Sequence, residues 1–96
     1  MRAAVYSFSL RGAELSKKVG ELLHTLGYEV QVETLPKYAE EAKLPAMVGN
    51  HYQVTEEAFK NCQAIVYVGS VGIAVRSIAP FLKSKLVDPA VISVDE

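Results

Sequence analysis

Ninety-six residues, with ten Lys and Arg set against eleven Asp and Glu for a formal net charge of -1, predict one domain spanning 1–96. The charges form no run of one sign, which argues against nucleic acid as a partner. Half of the residues are hydrophobic and 22% are charged, the balance of a folding chain rather than a disordered one. The single Cys62 excludes an internal disulfide, and with no Cys or His at ligand spacing no metal site is expected. The opening MRAAVYSFSL lacks a signal-peptide cleavage site and meets Arg11 well short of a membrane span. A cytoplasmic chain with no membrane partner is therefore expected.

The run AAVYSF at 3–8 is apolar, partly β-branched and aromatic, and predicts a strand covered on both faces. From Gly12 to Leu26, the residues Leu15, Val19, Leu22, Leu23 and Leu26 recur at helical spacing. Ser9 or Arg11 stands near the start of this helix, and Gly27 sits where a left-handed cap belongs. Tyr28, Val30 and Val32 alternate with Glu29, Gln31 and Glu33, as on an edge strand, which Pro36 ends. The stretch 36–53 contains two prolines, Gly49 and Asn50 without a clean period, so a long loop with one helical turn at 38–42 is expected.

Thr55 predicts the N-cap of a short helix reaching Asn61, with Glu56 and Glu57 in its first turn and Val54 packed on Phe59. AIVYV at 64–68 has the composition of the most buried strand. After it Val75, Ile78, Ala79, Leu82 and Leu86 form a second helical stripe. Pro80 interrupts that stripe, since its ring clashes with the carbonyl of Arg76, so a kink or two short helices meeting near Ala79 are expected. AVISV at 90–94 is the last strand. Strands alternating with helices predict an α/β fold in three layers, with a mostly parallel open sheet of about four strands, of the flavodoxin or Rossmann kind. The order 2-1-3-4 places the two most apolar strands in the centre. The topological switch then falls between the first and third strands, where the loops 7–12 and 69–72 meet.

Chemistry at that switch rests on few residues. Gly69 and Gly72 allow close backbone approach, and the helix that follows begins with unpaired N–H groups and a partial positive charge. Ser70 lies between these glycines, and Arg76, one turn in, adds a fork of donors suited to a carboxylate. The same glycines would also suit mere tight strand-to-helix packing, with Arg76 solvated. Ser9 and Gly12 divide the same way, between ligand contacts and an ordinary N-cap and turn. Asp95 and Glu96 follow the last strand on the ligand-binding side, where a carboxylate can act as acid or base, or can simply be polar chain. His24, His51 and Cys62 have no chemical partner nearby in sequence and read as structural or solvated. The acidic residues of a phospho-acceptor domain, GxGxxG and GxxxxGK[ST] are all missing.

Three segments taken together are more specific: SFSLRGAEL at 7–15, VYVGSVGIAVRSIAPFLKSK at 66–85 and VDPAVISVDE at 87–96. In these segments the chain resembles the N-terminal domain of CbiG, the cobalt-precorrin-5A hydrolase family of cobalamin biosynthesis; the stretch 28–60 carries little of the likeness. The resemblance implies an enzyme that opens the lactone ring of a cobalt-containing corrin precursor and releases a two-carbon fragment as acetaldehyde. It implies substrate binding by Ser9, Gly12, Gly69, Ser70, Gly72 and Arg76, with Ser9 where the family carries threonine, and a catalytic pair in Asp95 and Glu96. The partner is then a tetrapyrrole whose acetate and propionate groups need cationic and N–H anchors. No cofactor is expected, because the substrate carries the cobalt. In the family the acidic pair is followed by a further strand, by Ser-Gly-His and Gly-Gly-Ala-Asn, and by middle and C-terminal domains, whereas this sequence stops at Glu96. A truncated piece, a split subunit or a remnant fits that departure, and such a chain can lack activity alone. From another class, a noncatalytic ligand-binding or assembly module would use its unpaired sheet edge to form a homodimer, and a flavodoxin-like binder would hold a phosphate or flavin ligand in the same crevice.

Overall fold

A computed structural model of the chain describes residues 1–84 and 87–95. The expected helical position Leu86, the motif residue Lys85 and the expected catalytic Glu96 lie outside the described residues. In chain order the elements are β1 (Arg2–Ser7), α1 (Leu10–Thr25), β2 (Glu29–Thr34), α2 (Pro36–Ala42), α3 (His51–Asn61), β3 (Ala64–Val68), α4 (Val71–Ile78), a 3₁₀ turn (Ala79–Phe81) and β4 (Ala90–Val94). The four strands pair entirely in parallel, in the order β2-β1-β3-β4. Among the described residues, no helix is long and apolar enough to cross a membrane.

The strand order follows from where apolar side chains can hide. All five residues of β3, and all of β1 after Arg2, are buried, while β2 and β4 keep exposed positions and take the edges. Val5, Val66 and Val68 face α1, where Leu15, Val19 and Leu23 cover them. On the opposite face Tyr6, Ile65 and Tyr67 pack with Val54 and Ala58 of α3 and Ala74 of α4. Each buried Val or Ile there contributes about 1.5–3 kcal/mol. Gly20 lets α1 lie directly on β2: a Cβ at that position would come 2.7 Å from Val32 Cγ2.

Several local expectations change. Leu22 and Leu26 belong to the helical period of α1 yet are exposed. The segment after β2 forms the seven-residue α2, with Pro36 at its start and Lys43 as a left-handed cap, instead of a loop with one turn. The third helix begins four residues before Thr55: Asn50 caps it, its side chain accepting from Tyr52 N and Gln53 N while the Gln53 side chain accepts from Asn50 N. Thr55 faces inward, fully buried, and its hydroxyl bonds that of Tyr67. Other readings hold. Gly27 has a positive φ of 97°, Pro80 falls in a 3₁₀ turn that meets α4 at Ala79, and Cys62 is a buried free thiol. Asp88 Oδ2 accepts from the backbone N–H groups of Lys83 and Ser84, tying the segment after the 3₁₀ turn to the approach of β4.

Candidate functional site

The tips of three strands lie side by side. Ser7 of β1 is in register with Val68 of β3, and Val68 with Val94 of β4. Gly69 N–H donates to Val94 O at 2.9 Å, carrying the ladder one residue beyond β3. Two helices start from this carboxyl edge, α1 on one face of the sheet and α4 on the other. Ser9, in an extended conformation, is the N-cap of α1, and its hydroxyl accepts from Gly12 N at 2.9 Å. Ser70 caps α4, its hydroxyl accepting from Ile73 N at 3.4 Å. The two loops expected to meet at the switch point do meet, and each offers a helix N-terminus.

On α4 the expected residues are gathered. A Cβ at Gly72 would lie 3.4 Å from Arg76 Nη1 and 3.9 Å from Ser70 Oγ, so the exposed guanidinium folds back over the first turn of its own helix. Arg76 makes no ion pair among the described residues. Neither Gly69 nor Gly72 has a positive φ. A Cβ at Gly69 would meet Phe8 Cδ2 at 3.5 Å, an ordinary contact, and one at Gly72 meets only the end of a flexible side chain. The fold therefore has room for side chains at both positions. Tight strand-to-helix packing does not account for these glycines, unlike Gly20. What they do is keep side chains away from the start of α4, beside a cation.

Asp95 opens toward the other helical layer. It lines a shallow cleft of about 290 Å³ with Arg11, Glu14, Leu15 and Lys18 of α1. The carboxyl edge of the sheet thus lies between Asp95, on the α1 side, and Arg76, on α4. Arg11 and Lys18 are the cations that accompany Asp95, and nothing in the sequence reading singled them out. Their signal was present, since positions 11, 15 and 18 share one helix face. Ser7 was also passed over. Its hydroxyl is fully buried under α1 and has no hydrogen-bond partner among the described residues, although the Ser7 carbonyl accepts from Thr34 Oγ1 at 3.3 Å.

His51 belongs to α3, not to a loop, and its Nδ1 lies 2.6 Å from Ser77 Oγ. Ser77 Oγ also bonds Ile73 O, so this pair ties α3 to α4. A larger cleft, about 540 Å³, runs between β2 and α3 and holds none of the expected residues. Glu33, Glu56 and Glu57 line it, a poor match for an anionic ligand. Burial there lifts the Glu33 carboxyl above the usual carboxylate range, and burial pushes the Tyr6 hydroxyl up as well, with Glu33 adding to the effect. No group of three or more metal-ligating side chains occurs among the described residues.

Residues 53–96 match the family described as cobalamin synthesis G N-terminal. That segment contains Gly69, Ser70, Gly72, Arg76 and Asp95. The chain is 31% identical over 93 residues to the cobalt-precorrin-5A hydrolase of Salmonella typhimurium and 25% identical over 93 residues to that of Priestia megaterium. Each comparison takes in 97% of this chain but 25% of the relative, so the chain spans about a quarter of the length of the curated relatives it matches. The glycine-rich turn, the arginine and the strand-end acid lie inside the segment that matches the cobalamin synthesis G N-terminal family, and the likeness to the cobalt-precorrin-5A hydrolases reaches across nearly all of the fold.

Proposed function

We propose that this chain is the N-terminal domain of a cobalt-precorrin-5A hydrolase, working in the cytoplasm on the corrin ring of cobalamin and joined by the middle and C-terminal domains of its longer relatives. The single observation that supports this most is the cluster on α4, where Ser70, Gly72 and Arg76 come together at the helix N-terminus on the carboxyl edge and the fold itself does not call for the glycines. A tetrapyrrole rich in acetate and propionate side chains matches such a surface, because guanidinium and helix N-termini both stabilise carboxylates. Across the edge, Arg11 and Lys18 add two cations to a cleft that they line with Glu14 and Asp95.

In this reading the α4 turn holds a substrate carboxylate or the oxyanion that develops at the lactone carbonyl. Asp95 takes a proton from water, the resulting hydroxide adds to that carbonyl, and the ring C–O bond breaks, the alkoxide taking the proton back from Asp95, to leave a carboxylic acid and an alcohol. The alcohol O–H then gives up its proton as the C–C bond joining the two-carbon fragment to the ring breaks; the electron pair of that bond stays on the ring carbon, which takes up a proton, and the fragment leaves as acetaldehyde. Glu96 stands next to Asp95 in sequence and shares the proposed role. No cofactor of the protein takes part, the cobalt arriving with the substrate.

Turnover of the cobalt-precorrin by the full-length Salmonella typhimurium relative tests this, with substitutions at the positions aligned to Asp95 and Arg76. Asp95→Asn should lower kcat by about 10²–10⁴-fold. Arg76→Ala should raise KM by about 5–150-fold, the worth of roughly 1–3 kcal/mol of charged hydrogen bonding. Parent rates in both variants would end the proposal.

A further inference from the structure

The two faces of the sheet are covered unequally. On one face α3 and α4 lie side by side over β1, β3 and β4, and Val91 of β4 packs into that layer. On the other face α1 stands over β2, β1 and β3, and β4 reaches that layer at its carboxyl tip, where Val94 packs and Asp95 meets α1, while Ile92 earlier in the strand stays exposed. The uncovered strip is apolar. Ile92, in register with Val66 and on its face, is 46% exposed. Leu22 of α1 and Leu26, its C-cap, are 61% and 66% exposed. Seven and eleven residues beyond Leu15, they fall on the same side of the helix as Leu15. Leu15 itself borders the cleft that holds Asp95, so this side of α1 is the one turned toward β4.

Exposed leucines on a helix period that otherwise faces the core are positions made for a neighbour. What the neighbour is follows from relatives four times as long as the matched stretch, and from the place where β4 delivers the chain. Polypeptide leaving the carboxyl end of β4 emerges at the cleft with Arg11, Leu15 and Lys18, at the head of the strip. We propose that the strip formed by Leu22, Leu26 and Ile92 is the seat of an amphipathic helix that lies beside α1 and comes from the polypeptide that follows β4 in the longer relatives. It completes the second helical layer and holds the rest of the enzyme against Asp95. The inference rests on the likeness to the longer relatives and on the bare face, not on the reaction proposed above.

Cysteine labelling tests it. In a Cys62→Ala background, Leu22→Cys and Ile92→Cys should react with maleimide at the rate of an open thiol in this chain. When the Salmonella typhimurium sequence downstream of its matched 93 residues is joined after Glu96, both should react roughly ten-fold or more slowly, as sites under a docked element do. Val71→Cys, 65% exposed at the start of α4, should react alike in both proteins. The same comparison in the intact Salmonella typhimurium enzyme, with cysteines at the positions aligned to Leu22 and Ile92, answers the question even where the chimaera does not fold. Fast labelling there overturns the proposal. So does protection of Leu22→Cys in the 96-residue chain that grows with protein concentration, because a second copy would then be the occupant.

Discussion

A methyl group added at Gly20 would press on a β-branched side chain at 2.7 Å, whereas one added at Gly69 or Gly72 has room. Gly20→Ala should therefore cost about 1–3 kcal/mol. Gly72→Ala, inside the first turn of a helix, should leave stability unchanged or raise it by about 0.5–1 kcal/mol. Thermal melts of the two variants check this contrast, and a destabilised Gly72→Ala would return that glycine to a packing role. Ser7 has the opposite standing, a buried polar group with no partner among the described residues. Ser7→Ala should raise stability by about 1 kcal/mol in a urea melt; a loss of that size would reveal a hydrogen bond the serine makes in solution. The Glu33 carboxyl adds a pH dependence. Burial raises its folded-state pKa above the unfolded value, so the folded state binds the proton more tightly. The cost of ionising it is absent below the unfolded pKa and grows as pH rises through the folded one. Glu33→Gln should raise Tm at pH 7, and the gain should vanish toward pH 4.

At the scale of elements, helix starts were harder to read than strands. Thr55 followed by two glutamates reads as a cap, whereas the structure caps α3 with Asn50 and Gln53. Thr55 satisfies the local rule, and tertiary packing overrides it, because Thr55 sits one turn beyond His51 on the face that meets Tyr67. Asn50→Ala should cost about 0.5–2 kcal/mol, measurable by denaturant melt, and should loosen amide-exchange protection in the first turn of α3 ahead of the rest of the helix. Parity with the parent protein would put the working cap elsewhere. The strands were legible because AAVYSF and AIVYV are apolar on both sides, which only a doubly covered central position tolerates. The candidate site was legible in part. Ser70, Gly72 and Arg76 are at most six residues apart and come together within the first two turns of one helix. The association of Asp95 with Arg11 and Lys18 joins β4 to α1 across the sheet, and no local pattern spells that out.

For the molecule as a whole, the strand order β2-β1-β3-β4 has a bearing on how the chain reaches its native state. Every strand pair is parallel, so none closes through a tight hairpin and each must wait for the chain to travel the length of a crossover. Yet no strand has to be slipped between two already in place: β2 joins β1, β3 joins the free side of β1, and β4 joins the free side of β3. A ribosome releasing this polypeptide from its amino end would thus hand over each strand only after its docking rim exists, and the sheet can widen outward without ever reopening.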